Sequence, residues 1–231
     1  MMRITLIHGQ NHQGSTYHIA RLVAEKLGGE TEEFFLPRDF SGQCTGCKLC
    51  LDRSREHCPH YGQAGPILRS MLEADVIMIG SPTYVLEMTG QLKSLFDHLF
   101  TAWLPHRPEE AMFSKTAVVV STAAGAGMKG VTKSLARQMF YLGVPKVHQI
   151  AQKVAATSWE GVGAKTKKQI DKKTDKIALK IIRKNAKSKP GLKLKSMFLI
   201  MRKMQQGNDW APADRAYWEE HGWLGKARPW K

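Results

Sequence analysis

Two rhythms alternate along the first 150 residues. Short apolar runs stop at glycine or small polar residues, and longer stretches follow with apolar positions three and four apart. Arg3 to His8 is such a run and stops at Gly9. Thr31 to Leu36, Asp75 to Gly80, Thr116 to Val120 and Val144 to Ile150 are the others. Between them, Ile19, Leu22, Val23 and Leu27 mark a helix over Tyr17 to Leu27, and Pro66 to Leu72 reads as a shorter one. Leu92, Leu95, Phe96, Leu99, Phe100 and Trp103 make one stripe over Gly90 to Trp103, and Gly130 to Leu142 is a further helix. Five apolar strands alternating with helices predict an α/β fold whose parallel sheet is covered on both faces.

The pattern then changes. Residues 164–187 are lysine-rich, but Ile170, Ile177, Ala178, Ile181 and Ile182 keep one helical face apolar. Pro190-Gly191 breaks that helix, and two more follow over Leu194 to Gln205 and Asp214 to His221. The chain therefore divides into a body, residues 1–160, and a basic helical C-terminal extension, residues 161–231.

Charge sharpens that division. The net charge is +15. Residues 1–160 hold 16 Lys+Arg against 14 Asp+Glu, and residues 161–231 hold 19 against 6. Such an excess invites nucleic acid or an anionic surface as partner. The extension carries no RNA-binding motif or helix-turn-helix spacing, so an amphipathic helix packed on the body or on a partner subunit is the favoured reading. Trp210, Tyr217, Trp218, Trp223 and Trp230 extend the same expectation of packing to the end of the chain. Hydrophobic residues make up 42% of the chain, enough for a sizeable core. No run approaches a membrane span and no secretory leader is evident, so a soluble cytoplasmic protein is expected.

In open parallel sheets, ligands sit beyond the carboxyl ends of the strands, where the strand order switches. The loop after the first strand is Gly9-Gln10-Asn11-His12-Gln13-Gly14-Ser15-Thr16. It empties into a helix N-terminus, whose free amides attract phosphate. Ser15 alone also reads as a plain helix cap. The segment lacks the lysine and spacing of a nucleotide P-loop and the glycines of a dinucleotide fingerprint, so a monophosphate fits better. The third strand runs into Ser81-Pro82-Thr83-Tyr84-Val85, where Tyr84 offers a flat face to a planar ring. The fourth runs into Thr122-Ala123-Ala124-Gly125-Ala126, small residues that let backbone approach a ligand closely.

All four cysteines lie in one segment, spaced Cys44-x2-Cys47-x2-Cys50-x7-Cys58, with Pro59 next. Such crowding points to metal ligation or thiol redox chemistry rather than a disulfide framework. An iron–sulfur cluster, redox-active thiols, zinc and simple packing are all compatible with it. The gap before Cys58 is long for a ferredoxin-type run.

Together, the Ser-Thr loop, the cysteine segment after the second strand and the stretch GSPTY…MTGQLKSLFDH over Gly80 to His98 resemble the NADPH-dependent FMN reductase and iron–sulfur flavoprotein branch of the flavodoxin-like superfamily. The resemblance implies a flavodoxin-like three-layer sandwich with a five-stranded parallel sheet, here carrying the C-terminal extension. It implies FMN as cofactor and NAD(P)H as co-substrate, with Gln10, Asn11, His12, Ser15 and Thr16 on the phosphate. Ser81, Pro82, Thr83, Tyr84 and Val85, with Thr122, Ala123, Ala124, Gly125 and Ala126, would hold the isoalloxazine ring. His12 stands where many relatives have a phosphate-binding arginine. Cys44, Cys47, Cys50 and Cys58 would hold a [4Fe–4S] cluster. The resemblance further implies a homo-oligomer, dimer or tetramer, that passes electrons to a small-molecule or protein acceptor. No catalytic acid or base stands out.

Overall fold

The computed structural model describes residues 1–230. Its strands are β1 (Arg3–His8), β2 (Glu30–Phe35), β3 (Val76–Pro82), β4 (Thr116–Ala123) and β5 (Lys146–Lys153). They form one sheet in the order β2-β1-β3-β4-β5, with every neighbouring pair parallel. The order reverses at β1 and β3, which opens a crevice at their carboxyl ends. The five-stranded parallel sheet predicted from the apolar runs is therefore present, with strand ends shifted by a few residues.

Helices cover both faces. On one side lie α3 (Tyr61–Glu73), α4 (Gly90–His98) and α5 (Met128–Tyr141), and Ile67, Leu92, Leu95 and Leu135 pack there against Ile77, Ile79 and Val119. On the other lie α1 (Ser15–Leu27) and α6 (Ala164–Ile182). There Ile19 and Val23 share a core with Ile170, Ile177 and Ile181 over Leu6, Met78 and Val118. The isoleucine face of the lysine-rich helix thus lies on the body. Lys26 of α1 adds ion pairs to Asp171 at 2.5 Å and Asp175 at 2.7 Å.

Three helix limits differ from expectation: α6 stops at Ile182 rather than at 187, because Asn185 and Ala186 turn left-handed, and two more involve α3 and α4. α3 begins at Tyr61, five residues ahead of Pro66, which lies inside the helix and leaves the Gly62 carbonyl without its intrahelical donor, while the Tyr61 ring packs on Gly65. α4 stops at His98, and Phe100–Ala102 continues only as a tight 3-10 turn before Pro105. A four-residue helix, α2 (Leu49–Asp52), lies within the cysteine segment. Lys115 is buried, and its Nζ donates to the carbonyls of Leu72, at 2.6 Å, and Ala74, at 2.5 Å, closing the end of α3.

The last helices, α7 (Leu192–Gln206) and α8 (Pro212–Glu220), build a third core against the body. Phe198, Trp218 and Trp223 pack there with Leu104 and Phe113, and Trp230 joins their edge. Trp210 does not, being 66% exposed. A tryptophan pattern in the sequence does not separate packed rings from free ones. No described helix is long and apolar enough to cross a membrane.

Candidate functional site

At the carboxyl edge of the sheet, a cleft of about 220 Å³ opens between the loops after β1, β3 and β4. Each loop is fixed by backbone and hydroxyl contacts that follow from its sequence. The Gly9 N–H donates to the Gly80 carbonyl at 2.7 Å, and Thr89 Oγ1 donates to the Gly9 carbonyl at 2.6 Å. A Cβ at Gly9 would come within 2.8 Å of that Thr89 oxygen, so glycine is required for the close approach.

The first loop ends at α1. Its cap residue is Gly14, which has no side chain to satisfy the first amides, and the first turn holds no acidic residue. The resulting partial positive charge faces the cleft. Ser15 and Thr16 are buried at its wall. The His12 ring folds over Gly14, where an added Cβ would lie 2.9 Å from its Nε2. Free amides, two hydroxyls and an imidazole form a donor set that fits a phosphate dianion.

Across the cleft stand Pro82, Thr83 and Tyr84. Gln10 Nε2 donates to the Tyr84 hydroxyl, so the first and third loops meet. Beyond Tyr84 the chain reverses in a tight turn closed by reciprocal Tyr84–Glu87 backbone hydrogen bonds at 2.9 and 3.0 Å. Val85 and Leu86, its central residues, sit at φ 49° and 65°, a region that non-glycine side chains rarely occupy. Val85 is fully exposed and Leu86 66% exposed. From β4 come Thr122, Ala123 and Ala124.

Of the residues expected around the ligand, Gln10, His12, Ser15, Thr16, Pro82, Thr83, Tyr84, Thr122, Ala123 and Ala124 line this cleft. The other five lie off its wall. Asn11 is exposed, its N–H directed to Gln10 Oε1 at 3.2 Å. Ser81 is buried and braces its own loop, donating to the Pro82 carbonyl at 2.9 Å and accepting from the Thr89 N–H at 3.1 Å. Val85 points to solvent, as do Gly125 and Ala126 on the rim.

His8, Tyr17, Val154, Ala156 and Thr157 also line the cleft and were not foreseen. His8 is the most notable. It is 3% exposed, stacked on Phe35 at 4.4 Å, and its Nε2 lies 2.8 Å from Glu33 Oε2. Burial pulls its pKa below the usual histidine range, against the opposing hydrogen bond and charge of Glu33. Arg21 binds the other oxygen of Glu33. A histidine closing an apolar strand is the only signal of this in the sequence.

The cysteines gather elsewhere, in a small pocket of about 80 Å³ between the start of α3 and the end of α4. Cys44 and Cys47 are exposed, Cys50 and Cys58 half-buried, and His60 and His98 complete the wall. Burial raises the Cys50 thiol pKa, and the neighbouring Cys58, Cys44 and Cys47 add to the effect. Four converging thiols form a donor set that fits an iron–sulfur cluster. This pocket shares no wall residue with the cleft.

Arg107 holds the cysteine segment from behind. It donates to the carbonyls of Cys50 and, at 3.1 Å, Arg53. Its Nε forms an ion pair with Asp214 Oδ1 of α8 at 3.0 Å, outside hydrogen-bond geometry, and His106 Nδ1 lies 2.7 Å from Asp214 Oδ2. Asp214 is fully buried.

A parallel β2-β1-β3-β4-β5 sheet with a phosphate-type cleft at its switch point defines a flavodoxin-like protein. The chain belongs to the NADPH-dependent FMN reductase family, whose model matches residues 2–159. It is 34% identical over 99 residues to an iron–sulfur flavoprotein of Archaeoglobus fulgidus, covering 42% of this chain and 48% of that one. It is 29% identical over 125 residues to an FMN-dependent NADH:quinone oxidoreductase of Burkholderia pseudomallei, covering 50% and 57%. The chain thus spans about half the length of the curated relatives it matches. An azoreductase of Bacillus anthracis shares the fold with a TM-score of 0.60 at 14% identity, covering 78% of this chain and 100% of that one.

Proposed function

We propose that this protein binds FMN in the cleft at the ends of β1, β3 and β4 and works as an NAD(P)H-dependent oxidoreductase of the flavin or quinone reductase type. One observation carries the reading: the uncapped N-terminus of α1 opens into a cleft bounded by three short loops. The Gly14 to Thr16 amides, the Ser15 and Thr16 hydroxyls and His12 would bind the phosphate. Pro82, Thr83 and Tyr84 on one side and Thr122 to Ala124 on the other would flank the ring, and their packing would keep water from one of its faces. FMN, when bound, accepts a hydride and releases its electrons singly or as a pair. The residues of this chain bind and orient it, and His8 keeps a neutral imidazole beneath the cleft.

The four cysteines are assigned a [4Fe–4S] cluster, supported by their convergence on one pocket and by the printed names of the iron–sulfur flavoproteins that the chain resembles. The acceptor is a small molecule or protein, and the working form a cytoplasmic homo-oligomer. The test is anaerobic mixing of flavin-loaded protein with NADH or NADPH. Bleaching of the flavin absorbance supports the reading. Flavin that binds but is reduced by neither nicotinamide overturns the oxidoreductase assignment in favour of an electron carrier.

A further inference from the structure

His60 stands just before α3 and His98 closes α4, 38 residues later, yet His60 Nδ1 and His98 Nε2 are 2.8 Å apart. His98 Nδ1 is 2.7 Å from the Ser94 carbonyl oxygen. A carbonyl only accepts, so His98 Nδ1 carries the proton and Nε2 presents a lone pair toward His60. This is the arrangement of a ligating histidine, whose second nitrogen is tied to the backbone. Cys58 supplies a third donor, and the three ligand atoms lie within 4.8 Å of one another. Among the described residues no other trio of such groups is as compact.

Both rings are held in place. Phe40 packs edge-on to His98 at 4.9 Å. Gly42 passes so close to His60 that a Cβ there would lie 2.6 Å from the ring, and Ser94 Oγ secures the Gly42 carbonyl at 2.5 Å. A tetrahedral ion with M–N near 2.1 Å and M–S near 2.3 Å separates its ligand atoms by about 3.3–3.6 Å. The two nitrogens would part slightly and Cys58 would close in. Thiolates on the separate irons of a cluster stand much farther apart.

We propose that Cys58, His60 and His98 bind a single divalent transition-metal ion of the zinc type, with solvent as the fourth ligand. Two imidazoles and one thiolate are a borderline-soft set that suits such an ion. Binding releases the Cys58 thiol proton, and the His60 proton held between the two rings moves from Nδ1 to Nε2 so that both imidazoles ligate as neutral rings. The site is independent of the flavin reading. It competes with a four-cysteine cluster for Cys58 alone, so the loop has two exclusive metal states.

The test uses the full chain, purified without oxygen, stripped with a chelator and titrated with Co²⁺. About one Co²⁺ per chain is expected, with thiolate charge-transfer and four-coordinate ligand-field bands that Zn²⁺ abolishes. His98→Gln and Cys58→Ser should each weaken binding by more than about 100-fold, beyond what outer-shell changes cause, while Cys47→Ser leaves it unchanged. His60→Gln serves as a second histidine variant, and retained circular dichroism shows that each variant is folded. Iron and sulfide reconstitution, run in parallel, reports the cluster separately: His98→Gln should keep it and Cys47→Ser should lose it. Equal Co²⁺ affinity in the histidine variants, or loss in Cys47→Ser as complete as in Cys58→Ser, overturns the proposal.

Discussion

The Thr16 hydroxyl lies 2.7 Å from that of Thr122, 106 residues further along the chain, and both side chains are buried. This contact joins the first turn of α1 to the end of β4, so one hydrogen bond sets the width of the cleft. Both residues also line the cleft, and a hydroxyl both donates and accepts, so Thr16 can keep this bond while facing a ligand.

Acidic replacements at the α1 N-terminus should therefore abolish flavin binding. In Ser15→Glu/Thr16→Glu, two carboxylates would face the phosphate. FMN fluorescence titration should detect no binding, while the milder Thr122→Val should weaken it and cost about 0.5–1.5 kcal/mol of stability through the lost Thr16–Thr122 hydrogen bond. Unchanged FMN affinity in the double variant would sink the assignment.

The turn at Tyr84–Glu87 should be improvable. Its two central residues have the left-handed backbone that Asn-Gly adopts readily, and Val-Leu does not. Val85→Asn/Leu86→Gly should raise stability by about 1–2 kcal/mol in urea denaturation. A lower midpoint would mean that the exposed pair makes contacts in solution that outweigh its strain.

Acid sensitivity should centre on His148. Burial, then Lys146, Lys180 and Lys184, lowers its pKa to about 4. The unfolded chain takes up this proton near pH 6.5, the native one only near pH 4, so native stability falls as pH drops between those values. His148→Gln should flatten that part of the profile, recovering roughly 1–3 kcal/mol relative to wild type at pH 4. Parallel profiles for the two proteins would rule out His148 as the source.

Asp214 should matter out of proportion to its distance from the cleft. Asp214→Ala leaves the Arg107 guanidinium buried without its counter-charge, a change of about 3–5 kcal/mol. The cysteine segment should loosen as well, because Arg107 holds the Cys50 and Arg53 carbonyls. Limited trypsin digestion should cut faster at Arg53 or Arg55. Digestion at the wild-type rate would show that the loop is held without Arg107.

The sheet was legible because Val- and Ile-rich runs such as Val76–Ile79 and Val118–Val120 can only be buried on both faces. The isoleucine spacing of α6 showed which face is buried but not that it lies beside α1, since periodicity carries no address for the partner. The loop residues of the cleft were readable from their place after strands. His8 was not, because a histidine in an apolar run reads as core. The approach of His98 to Cys58 was hidden for a related reason: it exists only once α3 and α4 are packed. The left-handed turn at Val85-Leu86 runs against the local preference of both residues, so no sequence rule would have located it.

The Arg107 bridge also imposes an order in time. The cysteines emerge from the ribosome long before Asp214, and at about 5–20 residues per second the stretch between them takes roughly ten to thirty seconds to make. Through that interval the segment lacks the anchor that shapes it. Until α8 has been synthesised and docked, the Arg107 guanidinium that binds the Cys50 and Arg53 carbonyls lacks the buried carboxylate of Asp214 to hold it in place.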